Sequence, residues 1–380
     1  MSGVAVDPAP PSAYLEELVQ YCASEVRAVA AEIDQSGPLL PVIEQLAARG
    51  VLGAFVPRED GGCGLTMTAW GLLNEALAAE SASLQCLLTV HGMVTRVVQQ
   101  WGSERVKERY GRALVRGEVL AAFALTEPEA GSDIEAITTT AEIAGDDYVV
   151  SGRKSWISYG QCAGVFLVFA REPHGAVALL VPRDTPGLTV EPATPGLSLR
   201  GSGPAMLRLD GCRVPRQLAI GRAGAGLSHV ASAALLFGRF GVAWAAIGVA
   251  GRALRTAAGH AAQRVQFGVP IARHQLVARL ITEAVVALEG ARLLCLRAAA
   301  AHDERDPRLI RDTLVAKYAA SEAAVRVTDI AVQILGARGL EDGSVAQRCF
   351  RDARALTIIE GTSQLLEVLI AGSAVRDYGA

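Results

Sequence analysis

One stretch constrains this chain more than any other: "VASAALLFGRFGVAWAAIGVAG", residues 230–251. It is long enough to cross a bilayer, yet Arg239 lies near its middle, where a bare charge is expensive in lipid. A helix apolar on every side belongs at the centre of a helical bundle. The expectation is therefore a soluble protein without a membrane span, in which this helix is surrounded and Arg239 has a partner. An anionic ligand and a structural carboxylate are equally open as that partner.

Composition supports a large buried core. Of the 380 residues, 51% are hydrophobic and 20% charged, so two or three domains can be filled. Abundant alanine with only 5% aromatics favours close-packed helices. A net charge of −3 with acids and bases intermixed excludes the electrostatic footprint of a nucleic-acid binder. The seven cysteines are dispersed without a C-x-x-C pair, which fits a reducing, cytoplasmic location. The opening "MSGVAVDPAPPSAYLEE" lacks a basic n-region and reads as neither signal nor transit peptide.

The texture changes twice along the chain. Residues 1–117 carry helical periodicity, with Ser103 in "GSERVKERYG" as an N-cap. Residues 118–222 hold short β-type runs such as "GVFLVFAR" and "AVALLVP", separated by Gly-, Pro- and Asp-rich turns typical of antiparallel sheet. Residues 223–380 return to long helices. No helical pattern interrupts the strands, so a βαβ domain is excluded. The expected fold is mainly α with a central β-domain: an N-terminal helical domain, an antiparallel β-barrel or sandwich, and a C-terminal four-helix bundle.

Several chemistries fail. Gly224 and Gly226 form a G-x-G, but position 229 is His and no strand precedes it, so a nicotinamide fingerprint is absent. The six histidines form no H-x-x-x-H or H-E-x-x-H arrangement, and no metal site is expected. No G-x-S-x-G elbow occurs.

Other segments work as a set. Leu125–Asp133 reads "LTEPEAGSD", Lys154–Ser158 reads "KSWIS", and Arg264–Ile271 reads "RVQFGVPI". Further on come "QILGARG" at Gln333–Gly339 and "EGT" at Glu360–Thr362. In this order they resemble the acyl-CoA dehydrogenase family, over nearly the whole chain. The resemblance implies a non-covalent FAD between the β-domain and the C-terminal bundle of a homo-oligomer, dimer or tetramer.

By position, Thr126 would bond the flavin pyrimidine ring, Trp156 would stack on the flavin, and Ser158 would bond N5. Phe123, Leu125 and Ile157 would complete that wall. Ser132 matches a position at both cofactor and acyl-thioester ligand, and Arg239 and Gly361 join it on the substrate side. Arg264, Phe267, His274 and Gln275 match positions holding the FAD of a neighbouring subunit. Gln333, Gly336, Ala337, Thr362 and Gln364 match the loops that complete that site across the interface.

The resemblance also implies a mechanism. A carboxylate removes the α-proton of an acyl thioester while the β-hydrogen leaves as hydride to flavin N5. Glu360, behind Ile358 and Ile359 and before Gly361, is the candidate base, since burial among apolar groups raises a carboxylate's basicity. One subgroup carries its base one residue before the Arg equivalent to Arg239; here that position is Gly238, so the rival is missing. Glu127 and Glu129 read as turn and surface residues, and Asp352 with Arg354 as a structural ion pair.

Leu236 stands where the family often has an Asp touching CoA. The pattern around Arg239 is similar to a secondary-metabolism branch acting on carrier-protein thioesters, including enzymes for hydroxymalonyl-type polyketide extender units. The expected partners are an acyl thioester, on CoA or acyl carrier protein, and an electron-acceptor flavoprotein or oxygen. A flavin oxidase or monooxygenase on the same scaffold is the alternative, and a cofactor-free helical interaction protein a further one.

Overall fold

The computed structural model describes residues 11–379, so the first ten residues of the opening segment read above lie outside it. Helix α1 (Pro11–Tyr21) passes through a π-turn (Cys22–Val26) into α2 (Arg27–Ser36), followed by α3 (Leu40–Ala48). Next come α4 (Met67–Glu80) and α5 (Ala82–Trp101). Side-chain caps start both: Thr66 accepts from the Ala69 N–H and Ser81 from the Leu84 N–H. Ser103 caps α6 (Glu104–Val106) as expected, and α7 (Arg112–Val115) ends the segment.

Eight strands follow, β1 (Ala121–Ala124), β2 (Thr140–Ala144), β3 (Asp147–Ile157), β4 (Val165–Glu172), β5 (Gly175–Pro182), β6 (Leu188–Pro192), β7 (Ala205–Pro215) and β8 (Ala219–Ile220). They form one sheet in the order β6-β7-β3-β2-β4-β5-β8, with β1 also on β4. The sheet is mixed rather than purely antiparallel, since β1 runs parallel to β4 and β2 touches β4 in parallel. The β4 sequence marks the reason: "VFLVFA" is apolar without alternation and all six residues are buried, the texture of a strand covered on both faces. The parallel β1–β4 pairing needs a long crossover, which the intervening β2–β3 hairpin supplies.

The apolar run becomes α8 (Ser232–Gln263). A two-residue-strand hairpin, β9 (Val265–Gln266) with β10 (Val269–Pro270), turns the chain into α9 (Gln275–Asp303). Three helices remain: α10 (Leu309–Leu335), α11 (Val345–Leu356) and α12 (Ser363–Tyr378). The bundle is α8, α9, α10 and α11, with α12 laid on α10; α4 and α5 cover the rest of α8. That enclosure explains why a helix apolar enough for a membrane is buried within the protein. Glycine permits the closest approach: a Cβ on Gly71 of α4 would meet Trp244 at 2.3 Å, and one on Gly248 of α8 would meet the Glu75 carbonyl at 2.2 Å.

Candidate active site

A cavity of about 970 Å³ opens where α5, α8 and the segment before α12 face the sheet. Its sheet-side wall begins with a buried ion pair. Lys154 Nζ lies 2.8 Å from Glu127 Oε1 and also donates to the Leu125 carbonyl. The Thr138 and Thr139 hydroxyls and amides all donate to the same carboxylate. These bonds outweigh burial and pull the Glu127 carboxyl down to about 2, while burial lowers Lys154 to about 8. Glu127 is thus no surface residue, being 4% exposed, whereas Glu129 is exposed as expected. The buried lysine on β3 selects the inward orientation, because either charge alone would be uncompensated.

The pair sets the Leu125–Asp133 and Lys154–Ser158 segments side by side. The Ser155 N–H donates to the Thr126 carbonyl at 2.9 Å. Between Lys154 and Ile157 the β3–β7 register slips, and Trp156 adopts φ +58°. The bulge turns the indole outward, 57% exposed, while Ile157 stays buried. Phe123, Leu125, Thr126, Ser132, Trp156, Ile157 and Ser158 consequently all line the cavity.

The facing wall carries Glu360. The residue has φ +55° and Gly361 φ +102°, two successive left-handed positions that a glutamate rarely enters. Arg239 Nε donates to the Glu360 carbonyl at 2.9 Å, and Lys317 Nζ to the Gly361 carbonyl at 2.6 Å. Among the described residues Arg239 thus hydrogen-bonds a backbone carbonyl rather than pairing directly with a carboxylate, and the Glu360 carboxylate is the charge that faces it. Thr362 caps α12 through the Leu365 N–H, and Gly361 and Thr362 line the cavity beside Glu360.

The turn points the carboxylate inward. Glu360 Oε2 is buried and has no hydrogen-bond partner among the described residues, although the residue as a whole is half-buried. A Cβ on Gly238 would come within 2.6 Å of that oxygen, so the bare face of α8 makes its room. Burial, opposed by Arg239 and Lys317, pushes the carboxyl up to about 7.

Three lining residues were not singled out from sequence. Gln85 Nε2 donates to Asn74 Oδ1 (2.8 Å), Thr89 Oγ1 (2.8 Å) and the Gly241 carbonyl (3.2 Å), forming a polar floor with Thr89. Cys86 lies between them in sequence, buried, and burial pushes its thiol up to about 12. Gln85 and Thr89 sit four apart on one stripe of α5, a spacing that the sequence contained. The other expected pair is absent: Asp352 accepts from the Leu199 N–H, Arg354 donates to Thr357, and Arg351 pairs with Asp34 at 2.5 Å.

Eight expected cofactor residues lie outside the cavity. Arg264, Phe267, His274 and Gln275 sit at the α8–α9 hairpin, with Phe267 95% exposed and edge-on to His274. Gln333, Gly336 and Ala337 end α10, exposed, and Gln364 is exposed on α12. Burial lowers His260, and Arg338 from the end of α10 and Arg264 from the hairpin add to it.

Three family models match most of the chain: acyl-CoA dehydrogenase N-terminal domain over residues 12–118, middle domain over 122–212 and C-terminal domain over 224–374. The chain belongs to the acyl-CoA dehydrogenase family. It is 35% identical over 372 residues to human mitochondrial short-chain specific acyl-CoA dehydrogenase, covering 96% of this chain and 90% of that one. Butyryl-CoA dehydrogenase from Megasphaera elsdenii superposes with a TM-score of 0.93 at 30% identity, covering 99% and 100%. FkbI, solved for biosynthesis of the methoxymalonyl extender unit of the Fk520 polyketide, superposes with a TM-score of 0.87 at 33%, covering 96% and 99%.

This acyl-CoA dehydrogenase family member is an oxidoreductase with FAD as cofactor. The cavity wall fits that group: Thr126 and Ser158 bring hydroxyls, and Trp156 an accessible indole face, to suit a flat heteroaromatic ring with a polar edge.

Proposed function

We propose that the enzyme dehydrogenates a short, polar acyl thioester, with Glu360 removing the α-proton. The observation that carries this reading is the unpartnered, buried Oε2 of Glu360 in a cavity opposite Thr126, Trp156 and Ser158. A carboxylate that accepts nothing from the protein is free to accept a substrate proton, and a titration near 7 makes it basic enough at neutral pH. Bound FAD supplies the hydride acceptor for the β-hydrogen. Thr126, Trp156 and Ser158 would hold its ring system, while Glu360 holds the proton on the opposite side.

The geometry supports a short acyl end. On α8, Gly238 faces Glu360 and Gly241 faces Thr89 and Gln85, the two glycines being separated by about 4.5 Å of helix rise. An acyl chain starting at the base thus meets the polar floor within a few carbons. Gln85 Nε2 is occupied by its three acceptors, which leaves the amide oxygen to accept from a substrate hydroxyl. Leu236 in place of a CoA-contacting Asp, and the similarity to FkbI, support a carrier-protein thioester over CoA.

The exposed set around Arg264 and Phe267 supports a homo-oligomer, in which a second copy brings those residues to the FAD. Arg264 suits a pyrophosphate there.

Anaerobic flavin bleaching with matched CoA and carrier-protein thioesters, hydroxylated and plain, tests the reading. Glu360→Gln is expected to retain FAD and slow bleaching by about 100-fold or more. Native-rate bleaching by Glu360→Gln refutes the base; fast bleaching by CoA esters alone refutes the carrier preference. Peroxide formed during turnover would mark an oxidase instead.

A further inference from the structure

The segment from Leu356 to Ser363, which contains the Glu360–Gly361 turn, is held from α10 at three points. Lys317 Nζ donates to the Gly361 carbonyl at 2.6 Å, Ser321 Oγ to the Leu356 carbonyl at 2.9 Å, and Ser363 Oγ to Glu322 Oε1 at 2.5 Å. Lys317 and Ser321 are four residues apart, on one stripe of the helix. Lys317 is the unusual member, because its side chain is completely buried with a carbonyl as its only hydrogen-bond partner among the described residues. A buried ammonium without a hydrogen-bonded carboxylate is costly unless a negative charge faces it.

We propose that Lys317 is a positioning residue for the base: its ammonium clamps Gly361 in the left-handed turn that aims Glu360 into the cavity, and it supplies one of two cationic charges facing that carboxylate. The inference rests on the reading of Glu360 as base. Two consecutive left-handed residues persist only when their surroundings over-determine them. Arg239 holds the first carbonyl from α8 and Lys317 the second from α10, so the turn is pinned from opposite sides. The charged and titratable groups facing Glu360 are Arg239 on α8, Lys317 on α10 and Cys86 on α5; Glu322 on α10 faces Lys317 in turn. Removing Lys317 deletes a cation, so Glu360 must become harder to ionise.

Three variants of the FAD-loaded enzyme separate the clamp from the charge. Lys317→Arg keeps both, Lys317→Gln keeps a donor without charge, and Lys317→Met has neither. The probe is S-acetylpantetheine in D₂O, which has α-protons but no β-hydrogen, so NMR-detected exchange reports the base without any redox step. A second readout needs no substrate: infrared titration of the protonated Glu360 carboxyl, identified by its loss in Glu360→Gln.

The infrared midpoint is expected to rise by about one pH unit in Lys317→Gln and Lys317→Met, and to return toward native in Lys317→Arg. The exchange plateau above the midpoint should fall by up to about 100-fold in Lys317→Met and by less than threefold in Lys317→Gln. An unmoved infrared midpoint in Lys317→Met, with a plateau that drops only with the folded fraction, overturns the proposal. Exchange that persists in Glu360→Gln overturns the base assignment instead, while the carboxyl band still decides the case of Lys317.

Discussion

At the scale of single residues, the site depends on what is missing as much as on what is present. Gly238 leaves the space into which Glu360 Oε2 points, with Met93 Sδ also 2.8 Å from a Cβ built there. The obstructing oxygen is the far end of a side chain, so Gly238→Ala should displace the carboxylate rather than unfold α8. We expect a loss of α-proton exchange of about tenfold or more, with a thermal midpoint within a few degrees of native. A variant that exchanges at the native rate would show that the contact is not a constraint.

Glu360 also has a stability signature. Its folded pKa of about 7 lies above the ordinary 4.5, so the native state binds the proton more tightly than the unfolded chain. The associated stability is present below pH 4.5 and is lost as pH rises through 7. Glu360→Gln cannot ionise, so its stability relative to native should climb across that window and then level. The span is on the order of 3 kcal/mol at most, measured by chemical denaturation at stepped pH. A flat difference would place the carboxyl's titration elsewhere.

At the scale of elements, the two walls are built by different means. The sheet wall depends on a buried ion pair that fastens the "LTEPEAGSD" loop to β3. Glu127→Gln should destabilise by about 3–5 kcal/mol, because the buried Lys154 loses its counterion and must either stay charged in the interior or give up its proton. Calorimetry checks this, and simultaneous Lys154→Met with Glu127→Gln should recover part of the loss. The helical wall depends on backbone proximity: Gly248→Val drives a side chain into the Glu75 carbonyl, which α4 cannot yield without parting from α8. A cost of about 1–3 kcal/mol or more is expected in thermal melts.

The whole molecule presents apolar surface that a lone chain does not use. Phe267, Leu276, Val286 and Leu293 are each at least 66% exposed along the hairpin and α9. These exposed side chains are where the proposed second copy is tested. Phe267→Asp with Leu293→Arg should lower both the mass measured by light scattering and the FAD retained on gel filtration. Full mass and full FAD in that double variant would remove the shared cofactor site from consideration.

Much of this was legible in residue order alone. The apolar run with one Arg required an enclosed helix, the change of texture required a β-layer between two helical parts, and ordered motifs pointed to flavin chemistry. The first two signals are local, set by period and turn residues, so a linear reading captures them; the third rests on the resemblance of those motifs to a family. Tertiary structure alone decided the rest. Arg239 grips a carbonyl 121 residues away, Lys317 one 44 residues away, and Glu127 turns inward because Lys154 arrives on β3. The sequence by itself determined that Glu360 would be the base candidate. Only the fold decided how it is aimed, since pairing between distant segments sets which polar group is buried, which is satisfied and which is left free to react.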